Sequence, residues 1–130
     1  MAHRSRLCAL LFDGAADSHE RSIVFWSSAL GREILPRESP DSAYASLARD
    51  ERLPLDLMVQ RVPAEETGLH VDIESDDVEA EVRRLERLGA RRKRQVKSWW
   101  VLEDPAGHAF CVVPVQRKED WPAGTVEWED

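Results

Sequence analysis

The sequence predicts an α+β fold made of two tandem β-α-β-β-β modules. An apolar or alternating strand, an amphipathic helix and a group of short strands follow one another twice along the 130 residues. The two helices end in similar triplets, Ala29-Leu30-Gly31 and Arg87-Leu88-Gly89. Two modules of this size fill about 115 residues, so a duplication is the simplest interpretation.

Module one begins with an apolar strand at residues 7–12. A helix follows over residues 17–30, with Ile23, Trp26 and Leu30 on one face, and Gly31 ends it because glycine readily becomes left-handed. Prolines then separate three short strand candidates, which lie at residues 32–35, 43–48 and 55–59.

Module two begins with residues 69–74, which alternate strictly between apolar and polar side chains and predict a half-buried strand. The next helix spans residues 76–88. Asp76 and Glu79 have the spacing of a capping box, and Gly89 is a suitable terminator. Its apolar face is formed by Val78, Val82, Leu85 and Leu88.

Three further strands are predicted at residues 90–96, 99–103 and 108–115, with a Pro- and Gly-containing turn before the last. We therefore expect one domain over residues 1–116, with modules at about 6–60 and 68–115, and a polar tail at 117–130. The tail contains Trp121 and Trp128. Docking on a subunit surface and a frayed end are both open interpretations of this tail.

The composition restricts the functional class. Twenty-five acidic residues outnumber 18 basic ones, which argues against nucleic acid as the main partner. The basic run at residues 83–97 is better explained as a solvated helix end and strand than as a phosphate-binding stripe, because acidic residues precede it. No apolar run approaches a membrane span or a secretory signal, and two cysteines are too few for a disulfide framework. We expect a cytoplasmic protein with no membrane partner.

Six local segments follow one another in a characteristic order: Phe25-Trp26, Ala29-Leu30-Gly31, Val59-Gln60-Arg61-Val62-Pro63, Leu69-His70-Val71-Asp72, Leu88-Gly89-Ala90 and the stretch 104–111. Taken together, they resemble the vicinal oxygen chelate superfamily of glyoxalases, extradiol dioxygenases and bleomycin-binding proteins, most closely its glyoxalase-like domains. The resemblance implies that each module forms half of a barrel-like cup, the glyoxalase/bleomycin-resistance fold, and that the cup holds a metal ion or a small molecule. It also implies that modules pair within one chain or across a dimer.

The resemblance also implies positions for metal ligands, and this sequence matches them only in part. His70 fits the histidine of the family, but Gln60 replaces a carboxylate and Cys111 stands where glutamate is usual. The first-strand position falls on Leu11 or Cys8. Metals of this kind prefer imidazole and carboxylate ligands. A zinc site from Cys8, His70 and Cys111 lacks a recognisable spacing. We therefore expect no cofactor, with a divalent metal at His70 as the alternative.

His70 is the best candidate for a catalytic acid or base, because imidazole titrates near neutral pH. A ligand-orienting role beside Asp72 is the other interpretation. Trp99 and Trp100 must point to opposite faces of their strand, so we expect one to line the cup and the other to pack on a helix. Among the other histidines, we expect His108 to be exposed after a turn, and His3 and His19 to lie in a terminus and a loop with nothing convergent nearby.

The predicted ligand-binding residues are Gln60, His70, Asp72, Trp99, Trp100 and Cys111. We expect a homodimer that binds a small molecule without a catalytic metal, because sheet edges are normally protected. One alternative is a metal-dependent lyase, isomerase or dioxygenase of the same superfamily. The other is a dimeric accessory domain whose cup is vestigial.

Overall fold

The computed structural model describes all residues from Met1 to Asp130 and confirms the predicted α+β class. No helix in it has the length and apolar character that a membrane span requires. The strands are β1 Ala2–Gly14, β2 Tyr44–Leu47, β3 Asp56–Arg61, β4 Gly68–Ser75, β5 Arg91–Val96, β6 Trp99–Glu103, β7 Ala109–Pro114 and β8 Val126–Glu129, and the helices are α1 His19–Leu30 and α2 Val78–Arg87.

The chain divides into two compact units, which we call the central unit and the terminal unit. The central unit is Ala9–His70, and the terminal unit combines Met1–Cys8 with Val71–Asp130. The long strand β1 therefore contributes its first part to the terminal unit and its second part to the central unit.

In the central unit, β3 pairs in parallel with the second part of β1 and antiparallel with β2. Helix α1 packs on one face of these strands, where Ile23, Ala45 and Val59 form a buried cluster. Phe12 and Trp26 complete this core by stacking, with their ring centroids 4.0 Å apart. The prediction that Trp26 belongs to the core is therefore confirmed.

The strand predicted at residues 32–35 is not formed. Only a single bridge links Ile34 to Leu47, flanked by hydrogen bonds from Leu35 N to Ser46 O and from Ala48 N to Glu33 O. Pro36 follows at once and has no N–H to donate, so the pairing cannot continue. The first helix also differs, because residues 16–18 form a 3₁₀ turn before α1 begins at His19.

In the terminal unit, the strands lie in the order β8-β1-β4-β7-β6-β5. Helix α2 covers one face and buries Val82 against Leu102 and Val112. The helix begins later than predicted, because Asp77 rather than Asp76 is its N-cap and accepts from Ala80 N at 3.0 Å.

Two details of this helix correct the sequence analysis. The carboxylate of Asp76 is used elsewhere, since it accepts a hydrogen bond from Arg4 N at 2.8 Å. Leu88, predicted on the apolar face, follows the last helical residue and is 68% exposed.

Each unit has a strand face that its helix does not cover, called here the helix-free face. In the central unit, register pairing places Asp13, Gln60 and Tyr44 in one row across β1, β3 and β2, on the face opposite Val59. In the terminal unit, Asp72 pairs with Cys111 on the face opposite Val112. These two faces present the polar side chains that the fold leaves available for chemistry.

The tail is ordered, which overturns its interpretation as a frayed end. Strand β8 pairs antiparallel with the first residues of β1, in register from Ala2 opposite Glu129 to Ser5 opposite Val126. Strand β1 accordingly begins at Ala2 rather than at Leu7. The tail thus docks on its own chain, and its two tryptophans contact residues of β1.

Candidate functional site

A buried histidine–carboxylate pair forms the centre of the candidate site in the central unit. Asp13, near the end of β1, and His70, on β4, contact each other through Asp13 Oδ2 and His70 Nδ1. Their side chains are only 9% and 13% exposed. A carboxylate can only accept, so Nδ1 carries the proton and Nε2 is the acceptor in the neutral ring. Asp13 therefore fixes the tautomer in which His70 can act as a base.

The second oxygen of Asp13 has a different environment. Asp13 Oδ1 is buried and makes no hydrogen bond within the protein. A buried acceptor that remains unsatisfied costs about 1–3 kcal/mol. Such a cost is most easily understood at a position where a ligand supplies the missing donor.

Gln60 lies beside Asp13 in register, and its Nε2 donates to Tyr44 Oη at 3.0 Å. The sequence analysis expected a ligand position at Gln60, and the structure shows its amide engaged with a neighbouring side chain. The same row thus offers a carboxylate, an amide and a phenol on three adjacent strands. This combination suits recognition of a polar organic group by hydrogen bonds.

In the terminal unit, Asp72 and Cys111 stand opposite each other on β4 and β7, with a carboxylate oxygen and the thiol sulfur within 4.8 Å. Cys8 is buried and its Sγ donates to Asp72 O at 3.4 Å. His70 lies two residues before Asp72 on the same strand.

The two neighbouring tryptophans separate as predicted. Trp100 packs in the cluster under α2, where the guanidinium of Arg92 lies 4.8 Å from its ring centroid. Trp99 lies on the helix-free face of the terminal unit, two residues before Val101, the register partner of Cys111. Of the two, only Trp99 is placed where it can contact a ligand on that face.

The metal ligand set implied by the family resemblance does not form. Leu11 is apolar and buried, Cys8 is bonded to a backbone carbonyl, and the amide of Gln60 is held by Tyr44. The imidazole of His70 uses Nδ1 for Asp13, so Nε2 is the atom it could offer to a metal. Leu11, Cys8 and Gln60 therefore do not supply the imidazole and carboxylate ligands that an octahedral metal prefers.

The remaining histidines differ in burial. His108 is exposed, as predicted, and pairs with Asp104 at 3.0 Å on the surface. The expectation that nothing converges on His3 is wrong, because it is buried between two carboxylates. His19 is also buried, at the start of α1, and desolvation lowers its pKa from the ordinary value.

Asp13 and Tyr44 belong to the candidate site and were not predicted from the sequence. One available signal was the position of Asp13, the first charged residue after the apolar run of β1. No comparable signal marks Tyr44, because its role depends on its register with Gln60.

The model of the glyoxalase-like domain family matches residues 9–113. No curated protein matches the chain by sequence. Among solved structures, a glyoxalase/bleomycin resistance protein/dioxygenase superfamily member from Vibrio splendidus has a TM-score of 0.56 at 17% identity, covering 85% of this chain and 99% of that chain.

Two enzymes are similar to the same extent. Methylmalonyl-CoA epimerase from Mycobacterium tuberculosis has a TM-score of 0.57 at 20% identity, covering 86% of this chain and 89% of that chain. A 2,2',3-trihydroxybiphenyl 1,2-dioxygenase from Sphingomonas wittichii has a TM-score of 0.55 at 16% identity, covering 86% of this chain and 41% of that chain. At these identities the likeness shows a common fold and no common reaction. With the family model spanning most of its length, the chain belongs to the glyoxalase-like domain family and has the glyoxalase/bleomycin-resistance fold.

Proposed function

We propose that the protein binds a small molecule, as proteins of the glyoxalase/bleomycin-resistance type do, and that binding requires no catalytic metal. The main support is the buried Asp13–His70 pair, in which Asp13 fixes the tautomer that lets His70 act as a base. The polar row of Asp13, Gln60 and Tyr44 gives further hydrogen-bonding groups on the same face. On the terminal unit, Asp72, Cys111 and Trp99 are the proposed ligand contacts.

The chemistry of the pair indicates what kind of group the ligand presents. Asp13 Oδ1 is a buried acceptor, and the tautomer of His70 makes Nε2 an acceptor as well. A ligand with a hydroxyl or amine donor would satisfy Asp13 Oδ1 and remove the cost of leaving this oxygen unpaired. A purely apolar compound would gain nothing from this pair.

Tryptophan fluorescence provides the direct test. We expect quenching during titration with at least one member of a panel of hydroxylated and amine-containing metabolites and antibiotics. Trp99→Phe should remove most of that signal, whereas Trp100→Phe, which alters the cluster under α2, should leave it. No quenching by any compound, confirmed by calorimetry, would contradict a binding function and favour an accessory domain with a vestigial cup.

A matched pair of variants tests the role of His70. Asp13→Asn and His70→Gln should weaken ligand binding by about tenfold or more, because a hydrogen bond to a charged group contributes about 1.5–3 kcal/mol. The control is Asp104→Asn, since Asp104 and His108 form the same type of pair on the surface. Equal affinities for the native chain and the Asp13 and His70 variants would refute the proposal.

A metal-dependent lyase, isomerase or dioxygenase is the second candidate, and the proximity of Asp72 to Cys111 is the observation that favours it. The carboxylate and the thiol offer oxygen and sulfur donors, a combination closer to zinc than to an octahedral ion. Protein prepared without chelator should be analysed by mass spectrometry for bound metal. Stoichiometric metal that is lost in His70→Ala would establish this alternative and overturn the metal-free proposal.

The homodimer and the cytoplasmic location belong to the same proposal. The basic strand β5 forms an open sheet edge, and such edges are normally blunted by charge or covered by a partner. Light scattering at micromolar concentration should give the mass of a dimer. A monomeric mass would show that charge alone protects this edge.

A further inference from the structure

The most unusual buried group outside the candidate site is His3, in the terminal unit. Its Nε2 lies 2.8 Å from Glu81 Oε1 on α2, and its Nδ1 lies 2.5 Å from Asp130 Oδ1 in the tail. The imidazole itself is fully buried. Two carboxylates can both be satisfied only when both ring nitrogens carry protons, so this geometry selects the imidazolium form.

The surroundings of His3 on α2 and β8 form a connected network. Glu81 is also held by Arg84, whose Nε and Nη2 donate at 2.8 and 2.9 Å. The same guanidinium lies 3.8 Å from the ring centroid of Trp128 on β8, and Trp128 Nε1 donates to Ser5 Oγ at 3.0 Å. Glu81 therefore keeps a cationic partner whatever the charge on His3.

The remaining charged groups nearby lie on the opposite side of β1. Arg4 donates to Glu127 on β8 at 2.8 Å, and its backbone N–H donates to Asp76. Neither Glu127 nor Asp76 bonds to the His3 ring. The charge of His3 is thus balanced by Glu81 and Asp130, with Arg84 as the only cation bonded to that pair.

A second anchor holds the earlier part of the tail and does not depend on histidine. The buried guanidinium of Arg6 donates to Arg117 O at 2.7 Å, to Asp120 Oδ1 at 2.9 Å and to Ala123 O. It also pairs with buried Glu74. Arginine stays protonated throughout the physiological range, so this anchor is insensitive to pH.

We propose that the C-terminal segment is a clasp whose last part, strand β8, is locked onto β1 while His3 is protonated and released when His3 loses that proton. Residues 117–123 stay anchored by Arg6 in both states. Release exposes the backbone N–H and C=O groups of His3 and Ser5, since those of Arg4 point the other way and are bonded to Asp76. These exposed groups then form an open sheet edge. The inference is independent of the proposed ligand site.

The direction of the pH dependence follows from the groups around the ring. Burial alone lowers the pKa of His3, but the hydrogen bonds and charges of Glu81 and Asp130 outweigh it and raise the pKa above 6.5. A raised pKa in the folded state means that the stabilisation is fully present below 6.5 and is lost as the pH rises through the folded value. Asp130 is the partner that separates, because its side chain is partly exposed and regains water.

Amide hydrogen exchange measured by NMR on the full chain tests the clasp between about pH 6 and about pH 9, a range that brackets the ordinary histidine pKa. After correction for intrinsic rates, protection of His3, Ser5 and the paired amides of residues 126–129 should fall with rising pH, whereas the amide of Arg4 stays bonded to Asp76. The ring titration of His3, followed in the same samples, gives its pKa in the folded protein. For each unit by which that pKa exceeds 6.5, the total fall in protection should be about tenfold. Paired amides of β6 and β7 should not change.

One test variant, with a replacement if it does not fold, and one control variant make the test decisive. His3→Gln should lose the pH-dependent change in protection, because glutamine does not titrate in this range. If that variant does not fold, Asp130→Asn is used in its place, since an amide can donate or accept and so fits either form of His3. The exposed His108→Gln should behave as the native chain does.

Three results would overturn the clasp. The first is protection of residues 126–129 that does not vary with pH in the native chain. The second is a pH dependence that persists unchanged in His3→Gln or Asp130→Asn. The third is an equal loss of protection in β6 and β7, which would show global unfolding rather than local release.

Discussion

Glu74 and Glu127 allow a matched comparison of a buried and an exposed ion pair on one strand. Glu74 pairs with Arg6 and Glu127 pairs with Arg4, two residues earlier on β1. The Arg6 and Glu74 side chains are 3% and 0% exposed, whereas Arg4 and Glu127 are 37% and 51% exposed. We predict that Glu74→Gln destabilises the protein much more than Glu127→Gln does.

The magnitude follows from what each carboxylate accepts. Glu74 Oε1 accepts two hydrogen bonds from Arg6, at 3.1 and 2.9 Å, and Oε2 lies 3.3 Å from the backbone nitrogens of Gln116 and Arg117. Breaking a buried pair from one side costs about 3–5 kcal/mol. Asp120 remains beside Arg6, and glutamine keeps an acceptor oxygen, so we expect about 2–3 kcal/mol. Glu127→Gln should cost about 0–1 kcal/mol.

Urea unfolding at neutral pH, followed by tryptophan fluorescence, measures both changes, with equal m-values showing that the same transition is compared. The double variant Arg6→Leu/Glu74→Leu should recover much of the loss, because replacing both partners of a buried pair leaves no unpaired charge. Equal destabilisation by Glu74→Gln and Glu127→Gln would refute the argument from burial.

Three further predictions concern stability. Burial lowers the pKa of His19, so the contribution of its neutral ring to folding stability is present above 6.5 and is lost as the pH falls through its pKa in the folded protein. His19→Gln should therefore lose less stability between about pH 7 and about pH 5 than the native chain does, as measured by unfolding midpoints. Leu102→Ala should cost about 2–5 kcal/mol in urea unfolding, against less than about 0.5 kcal/mol for exposed Leu88→Ala, and equal costs would contradict the described core. Asp77→Ala should cost about 1 kcal/mol by losing the cap of α2, whereas Asp77→Asn should retain most of it; a similar loss in both would count against the cap.

The amphipathic helices and most strands could be predicted because their signals are local. The apolar spacing of Val82 and Leu85 located α2, and the alternation around Val71 located β4. The N-cap was misplaced by one residue, since Asp76 and Asp77 are both good caps and only the contact of Asp76 with Arg4 N decides between them.

The tail could not be placed from the sequence, because its contacts join residues from opposite ends of the chain. Trp128 bonds to Ser5, and Asp130 bonds to His3. A polar segment with two tryptophans is compatible with both docking and fraying, and only the contact of buried His3 with Asp130 shows that the end of the tail docks. The polar composition was therefore a poor guide to burial here.

The chain contains three histidine–aspartate pairs, and the two that involve His108 and His70 show why burial must be known before function is inferred. His108 and Asp104 are four residues apart, so a reader of the sequence could pair them, yet the His108 side chain is 81% exposed. In water such a pair contributes little to stability, because solvent screens the charges. Asp13 and His70 are 57 residues apart and meet only through the fold. Because both are largely buried, their separation would leave unsatisfied polar groups. The pair that cannot be recognised from the sequence is therefore the one whose geometry the fold fixes.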